Sequence, residues 1–220
     1  MKFAIIVFPG SNCDYDAYYV ISKHLKAKVD FIWHKESDLK DYDCIIIPGG
    51  FSYGDYLRAG AIAQFSRIMD AIKVEAKKGK SIIGICNGFQ ILVESRLLPG
   101  ALITNNTTRF ISKKIKLKVT NSNSLFTKNY QINEEIEMPI AHKQGNYYAN
   151  KDLIDRLEDN NQIAFKYIKN PNGSSGDIAG ILNKNKNILG MMPHPERAAE
   201  LLLGECRGVE IFRSMLHQVL

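Results

Sequence analysis

The chain has 220 residues, 45% of them hydrophobic, which is enough to enclose a sizeable core. Its formal charge of +6 is scattered (Lys77, Lys78 and Lys80; Lys113, Lys114, Lys116 and Lys118; Lys184 and Lys186) with no aromatic interleaving, so it argues a lysine-rich surface and against a nucleic-acid interface. The four cysteines (Cys13, Cys44, Cys86, Cys206) fall at no paired or metal-ligand spacing, and the apolar run near the start is too short for a signal peptide or a membrane span. The expectation is therefore a soluble cytoplasmic protein without disulfides, a metal or a membrane partner.

In chain order, residues 3–8 are a near-continuous apolar run, as expected of a strand buried on both faces of a parallel sheet. Pro9-Gly10-Ser11-Asn12 ends it, and helical spacing follows over residues 14–25. Residues 27–33 alternate as a second strand, and residues 44–47 form a third, ended by Pro48-Gly49-Gly50-Phe51. Ile62, Phe65, Ile68, Met69 and Ile72 mark one long amphipathic helix closing near Gly79. Residues 82–85 are the fourth strand, running straight into Cys86 and a helix. Strands alternating with helices through short turns argue an α/β fold: a doubly wound, mostly parallel sheet with helices on both faces.

After Pro99-Gly100 the pattern changes. Ile115, Leu117 and Val119 alternate with lysines, and Ile136, Met138 and Ile140 with polar residues, the mark of half-exposed strands. Asn170-Pro171-Asn172-Gly173 is a turn between strands at 163–167 and 178–182. This reads as an antiparallel section added to the parallel core, within a single domain spanning residues 1–220. A buried strand at 188–192 then ends in Pro193-His194-Pro195-Glu196, and two helices follow, at 196–203 and 209–219, the second turning Phe212, Met215, Leu216 and Val219 inward.

The chemistry sits where strands end. A strand that turns sharply into a helix exposes its turn residue beside free backbone N–H groups, and a thiol there is biased toward thiolate by the helix dipole. Cys86 has that place, with Gly84 and Gly88 where a side chain would crowd the turn; the alternative is a small buried hydrophobe. A nucleophilic thiol needs a base, and the base a partner. His194 and Glu196, stiffened by flanking prolines, supply both, unless they are only a polar helix start. Gly49 and Gly50 allow backbone N–H groups to face a ligand and, with the amide of Asn87, to make an oxyanion hole; an ordinary glycine turn is the alternative. Gln90, one turn past Cys86, is placed to touch a bound substrate. The aromatic loop Phe51-Ser52-Tyr53-Gly54-Asp55-Tyr56 either faces a partner or packs Phe51 and Tyr56 on the sheet.

Gly84-Ile85-Cys86-Asn87-Gly88-Phe89-Gln90 and Pro193-His194-Pro195-Glu196-Arg197 together resemble the class I (triad) glutamine amidotransferases. Phe8-Pro9-Gly10-Ser11-Asn12-Cys13-Asp14 and the stretch from Pro48-Gly49-Gly50-Phe51 through Ser52-Tyr53-Gly54-Asp55-Tyr56-Leu57-Arg58-Ala59-Gly60 resemble, more narrowly, the glutaminase subunits of phosphoribosylformylglycinamidine synthases. The resemblance implies glutamine as substrate, attack on its side-chain amide by Cys86, His194 as base and acid, and Glu196 as its support. It implies no cofactor on this chain. ATP and Mg are expected on a large synthetase subunit, which receives the ammonia, with a small bridging subunit as a further partner. The absence of a Gly-rich phosphate loop ending in Lys-Ser or Lys-Thr agrees with ATP binding elsewhere. Asn106-Thr107-Thr108-Arg109-Phe110 resembles a family segment that lines the glutamine pocket, with Thr108 in place of a serine. Lys143 and Gln144 depart from the family's His-Gly-Glu-Gly loop, where a glycine and a carboxylate stand. The competing functions are a triad amidotransferase for another acceptor and a non-catalytic binding or regulatory protein of the same fold.

Overall fold

The computed structural model describes residues 1–204 and 206–216. Its elements, in chain order, are β1 (Lys2–Val7), α1 (Asp14–Tyr19), β2 (Lys28–Trp33), β3 (Cys44–Ile47), α2 (Arg67–Lys77), β4 (Ser81–Ile85), α3 (Asn87–Glu94), β5 (Ala101–Ile103), β6 (Ile111–Val119), β7 (Glu135–His142), β8 (Asn146–Tyr148), α4 (Lys151–Asp159), β9 (Ile163–Tyr167), β10 (Ile178–Leu182), β11 (Ile188–Met191) and α5 (Val209–Leu216).

Nine strands form one sheet in the order β2-β1-β3-β4-β11-β10-β9-β6-β7, and β5 pairs with β8 in a small antiparallel sheet. The first five positions are parallel throughout. From β11 onward every pairing is antiparallel. The side chains explain the division. β3 and β4 read Cys-Ile-Ile-Ile and Ser-Ile-Ile-Gly-Ile and are buried along their whole length, as strands sandwiched between helices must be. β6 instead turns Ile115, Leu117 and Val119 inward and its lysines outward, so one of its faces meets water. β11, the last described strand, is the seam: β4 pairs with it on one side and β10 on the other.

Several boundaries differ from the sequence expectation. The helix expected around residues 62–72 is broken: a 3-10 turn, Ala63–Phe65, stops at Ser66, whose extended backbone (φ −68°, ψ 142°) restarts the chain as α2. Phe65 consequently points outward, 81% exposed, instead of into the core. The first helix converts to a π-helical segment, Val20–His24. The helix expected at 196–203 is two separate 3-10 turns, Pro195–Arg197 and Leu201–Leu203, because Ala198 and Glu200 leave helical geometry between them. α4 and the short strands β5 and β8 were not anticipated. Val219, expected to face inward, lies outside the described residues.

Candidate functional site

The site is built at the carboxyl edge of the parallel strands, where open α/β sheets hold their ligands. β4 is gripped on both sides, by β3 and by β11, and the Cys86 amide still donates to Met191 O at 2.8 Å. The backbone then turns within one residue: Cys86 has φ +50° and ψ −104°, a conformation that side-chain-bearing residues adopt only under constraint, and α3 begins at Asn87. The turn demands glycine on either side. A Cβ on Gly88 would lie 1.9 Å from Ile47 O, and one on Gly84 would lie 2.5 Å from Leu92 Cδ1 and 2.6 Å from Gly88 O. Those glycines let helix and strand touch, which holds the thiol at the sheet edge.

β11 runs parallel to β4 and ends in His194 and Glu196, so the second motif arrives beside the first through a hydrogen-bonded pair of strands. His194 Nδ1 is 2.6 Å from Glu196 Oε1, with both side chains almost wholly buried. A carboxylate accepting there fixes Nδ1 as the protonated nitrogen and leaves Nε2 as the basic one. Nε2 is buried with no hydrogen-bond partner, as is Glu196 Oε2. Burial pulls the His194 pKa down, but the Glu196 carboxylate and the nearby Cys86 outweigh it and hold His194 well above the ordinary histidine value. The His194 amide donates to Pro139 O of β7, and the Cys86 thiol lies 3.6 Å from Ala141 O of the same strand. The antiparallel half therefore forms the opposite wall.

Gly49 lies at the centre of this group. A Cβ there would be 2.8 Å from His194 Cε1, 3.0 Å from Cys13 Sγ and 3.5 Å from Cys86 Cβ. Its carbonyl accepts from the Asn12 and Cys13 amides, fastening the loop after β1 to the loop after β3. The Phe51 amide is taken by Gly10 O. Its ring is 48% exposed and faces Phe110 at a centroid distance of 6.4 Å.

The remaining residues singled out from sequence divide into two groups. Asn87 and Gln90 are buried and joined: Asn87 Nδ2 donates to Gln90 Oε1 at 2.9 Å, and Asn87 Oδ1 accepts from the Ser52 amide. Gln90 Nε2 donates to Gln144 O at 2.7 Å, so its amide is spent on the protein at both ends. Thr108 and Arg109 lie on an exposed loop, and Phe110 faces the Phe51 ring. In the aromatic loop Tyr53 is the anchor, its hydroxyl within hydrogen-bond distance of His34 Nδ1 and Ser66 Oγ. Phe51, Tyr56 and Leu57 stand out to solvent, so packing of Phe51 and Tyr56 on the sheet is not what the loop does.

Sequence reasoning missed three participants. Asn105 is a buried hub: its Oδ1 accepts from Gly145 N and His142 Nδ1, and its Nδ2 donates to Arg109 O and His142 O. It ties the 106–110 loop to the 142–145 loop. His142 is buried, and burial together with the His194 charge lowers its pKa to about 4, so it is neutral at physiological pH. Cys13 reaches His194, 181 residues away in the chain, and no local spacing could announce it. The departure at Lys143 and Gln144 is accommodated by the backbone, since Lys143 O accepts from Asn105 N and Gln144 Oε1 from Ala59 N.

Residues 1–207 match the family described as the CobB/CobQ-like glutamine amidotransferase domain. A chain from the structure of PurLQS from Thermotoga maritima is 42% identical, with a TM-score of 0.92 and coverage of 100% of this chain and 99% of that one. A glutamine amidotransferase from T. maritima (15% identity, TM-score 0.65, coverage 99% and 97%) shares the fold. So does the glutaminase domain of Trypanosoma brucei CTPS with bound acivicin (14% identity, TM-score 0.62, coverage 98% and 94%). The doubly wound sheet, the cysteine at its strand-to-helix turn and the full-length match to a close relative lead to one conclusion: this chain belongs to the CobB/CobQ-like glutamine amidotransferase family and is a glutamine amidotransferase.

Proposed function

We propose that this chain is the glutaminase subunit of a phosphoribosylformylglycinamidine synthase, hydrolysing glutamine through Cys86, His194 and Glu196 and passing ammonia to an ATP-dependent synthetase subunit. The observation that carries the reading is the buried 2.6 Å contact of His194 with Glu196, delivered by a strand hydrogen-bonded to the one that ends in Cys86. The acceptor reading rests on the likeness to the PurLQS chain.

In this mechanism His194 Nε2 takes the Cys86 proton and Sγ attacks the side-chain carbonyl carbon of glutamine, forming a tetrahedral oxyanion. Backbone N–H groups at residues 49–50 and at Asn87 stabilise that charge; one such donor is typically worth about 3 kcal/mol in the transition state. The imidazolium gives its proton to the departing nitrogen, releasing ammonia and leaving a γ-glutamyl thioester. Water, deprotonated by His194, then cleaves the C–S bond to give glutamate and the free thiol. Glu196 keeps the tautomer and bears the imidazolium charge throughout. Thr108, Arg109, Phe110 and Phe51 receive the amino-acid end of the substrate at the rim, and Gln90, spent on Asn87 and Gln144, shapes the wall.

The whole chain serves as one domain, working in the cytoplasm with a large synthetase subunit that holds ATP and Mg and a small bridging subunit. The exposed Phe51, Tyr56 and Leu57 are offered to that assembly. Among the described residues no helix is long and apolar enough to cross a membrane. Glutamate release by the purified chain, alone and with candidate synthetase subunits, tests the reading. Partner-stimulated release that disappears in Cys86→Ala supports it, and equal release by wild type and variant sinks it.

A further inference from the structure

The mechanism uses neither Cys13 nor the second oxygen of Glu196. Cys13 Sγ, a ring nitrogen of His194 and a carboxylate oxygen of Glu196 all lie within 4.8 Å of one another, and all three residues are buried. Cys86 is not part of this cluster. Glu196 Oε2 is sealed from solvent without a partner, and so is His194 Nε2. Glu196 Oε2 is a lone-pair donor that burial leaves unsatisfied, and His194 Nε2 becomes a second once it gives up its proton; a buried polar atom without a partner is costly unless something comes to fill it. Gly49 makes the convergence possible, since any larger residue would push Cys13 and His194 apart.

We propose that Cys13, His194 and Glu196 form a binding site for a thiophilic divalent cation of the zinc class, and that its occupation withdraws the imidazole and carboxylate from catalysis. Thiolate, imidazole and carboxylate are the three ligand types zinc takes, and three protein ligands leave a fourth position for water. Binding converts the Cys13 thiol to thiolate and releases its proton to solvent. The cation is a reversible inhibitor, competing with His194's role as base.

The test uses the full chain with zinc, followed by competition against a chromophoric chelator, and with cobalt(II) as a spectroscopic stand-in. Stoichiometric binding with a thiolate-to-cobalt charge-transfer band is expected for wild type. Cys13→Ser, which keeps the side chain's shape, loses the band and weakens zinc binding by about tenfold or more. Cys86→Ala keeps both, because its thiol is outside the ligand set. Circular dichroism verifies that each variant is folded, with Cys13→Ala as a second variant should the serine form prove unstable. A wild-type chain that binds no zinc overturns the proposal, as does a Cys13 variant that binds normally or a Cys86→Ala chain that loses the metal. The binding arm does not depend on the glutaminase mechanism. The second arm, chelator-reversible inhibition of glutamate release, rests on it, so the failure of one reading is distinguishable from failure of the other.

Discussion

The two halves of the main sheet solve different problems. In the parallel half, β3 and β4 have no free face, their side chains are nearly interchangeable isoleucines, and all individuality is concentrated in the turns beyond the strands. In the antiparallel half, β6 and β7 alternate buried and exposed residues, and individuality is spread along the strands, down to Pro139 O holding the His194 amide and Ala141 O beside the Cys86 thiol. One half holds Cys86 and His194 on rigid stems, and the other closes the wall around them. A change at a strand end of the parallel half should therefore remove chemistry, whereas a change in the antiparallel half should loosen geometry.

The sharpest way to break that contrast is Cys86→Ala. Glutamate release is expected to fall by about a thousandfold or more with the fold intact, measured by a coupled glutamate assay and circular dichroism. Next comes Glu196→Gln, expected to cost about a hundredfold or more in kcat, because the His194 imidazolium loses its buried counter-charge. The same substitution carries a pH signature. In the wild type the folded-state pKa of His194 is raised above the unfolded value of about 6.5, so its contribution to stability is complete below that pH and is lost as pH rises through the folded value. With glutamine at 196, desolvation is opposed only by the neighbouring Cys86 and Cys13 thiols, so the folded value falls and the stability lost as pH rises should shrink. Thermal melts of the two proteins through the neutral range check that flattening; parallel curves would mean that Glu196 does not set the His194 charge.

Gly49→Ala tests the junction between halves. Its methyl group must displace His194 Cε1 or Cys13 Sγ, and overpacking of this kind typically costs about 1–3 kcal/mol along with activity. Asn105→Ala should act differently: about 1–3 kcal/mol of stability lost with the buried hydrogen bonds, and KM raised more than kcat is lowered. If kcat falls alone, the wall takes part in the chemistry and the contrast between halves fails. The smallest effect is expected at Asp55, whose carboxyl burial pushes up to about 6. Because the folded value exceeds the unfolded one, its ionisation opposes folding, and stability falls as pH rises from about 4 to 6. Asp55→Asn should be neutral at low pH and slightly stabilising above 6 in a urea titration.

The parallel half was the legible one. β1, β3 and β11 are largely apolar runs ended shortly by Pro and β4 is one ended by Cys86, so the strands could be read locally, and Cys86 and His194 both fell at strand ends; that these strands are neighbours is known only from the sheet. What escaped depends on contacts that local pattern does not carry. The helix break at Ser66 has no glycine or proline to mark it, and Phe65 completes a helical stripe that the fold never uses. β5 and β8 span three residues each, too few to establish a period. Asn105 looks like any loop asparagine until its four hydrogen bonds are traced. Cys13 stands within a recognisable sequence motif, yet only the folded chain carries it to His194.

The position of β11 has a consequence for how the protein is made. Among the described residues, the strand that joins the two halves of the sheet is the last to leave the ribosome. Until residues 188–191 emerge, the nascent chain carries two incomplete sheets, with β4 and β10 each presenting an unpaired, mostly apolar edge. At roughly 5–20 residues per second, the β10 edge waits on the order of a second and the β4 edge on the order of ten seconds, a window in which such edges invite mispairing and chaperone capture. Because the same strand leads into His194, that side chain cannot come beside Cys86 until the step that joins the two sheets.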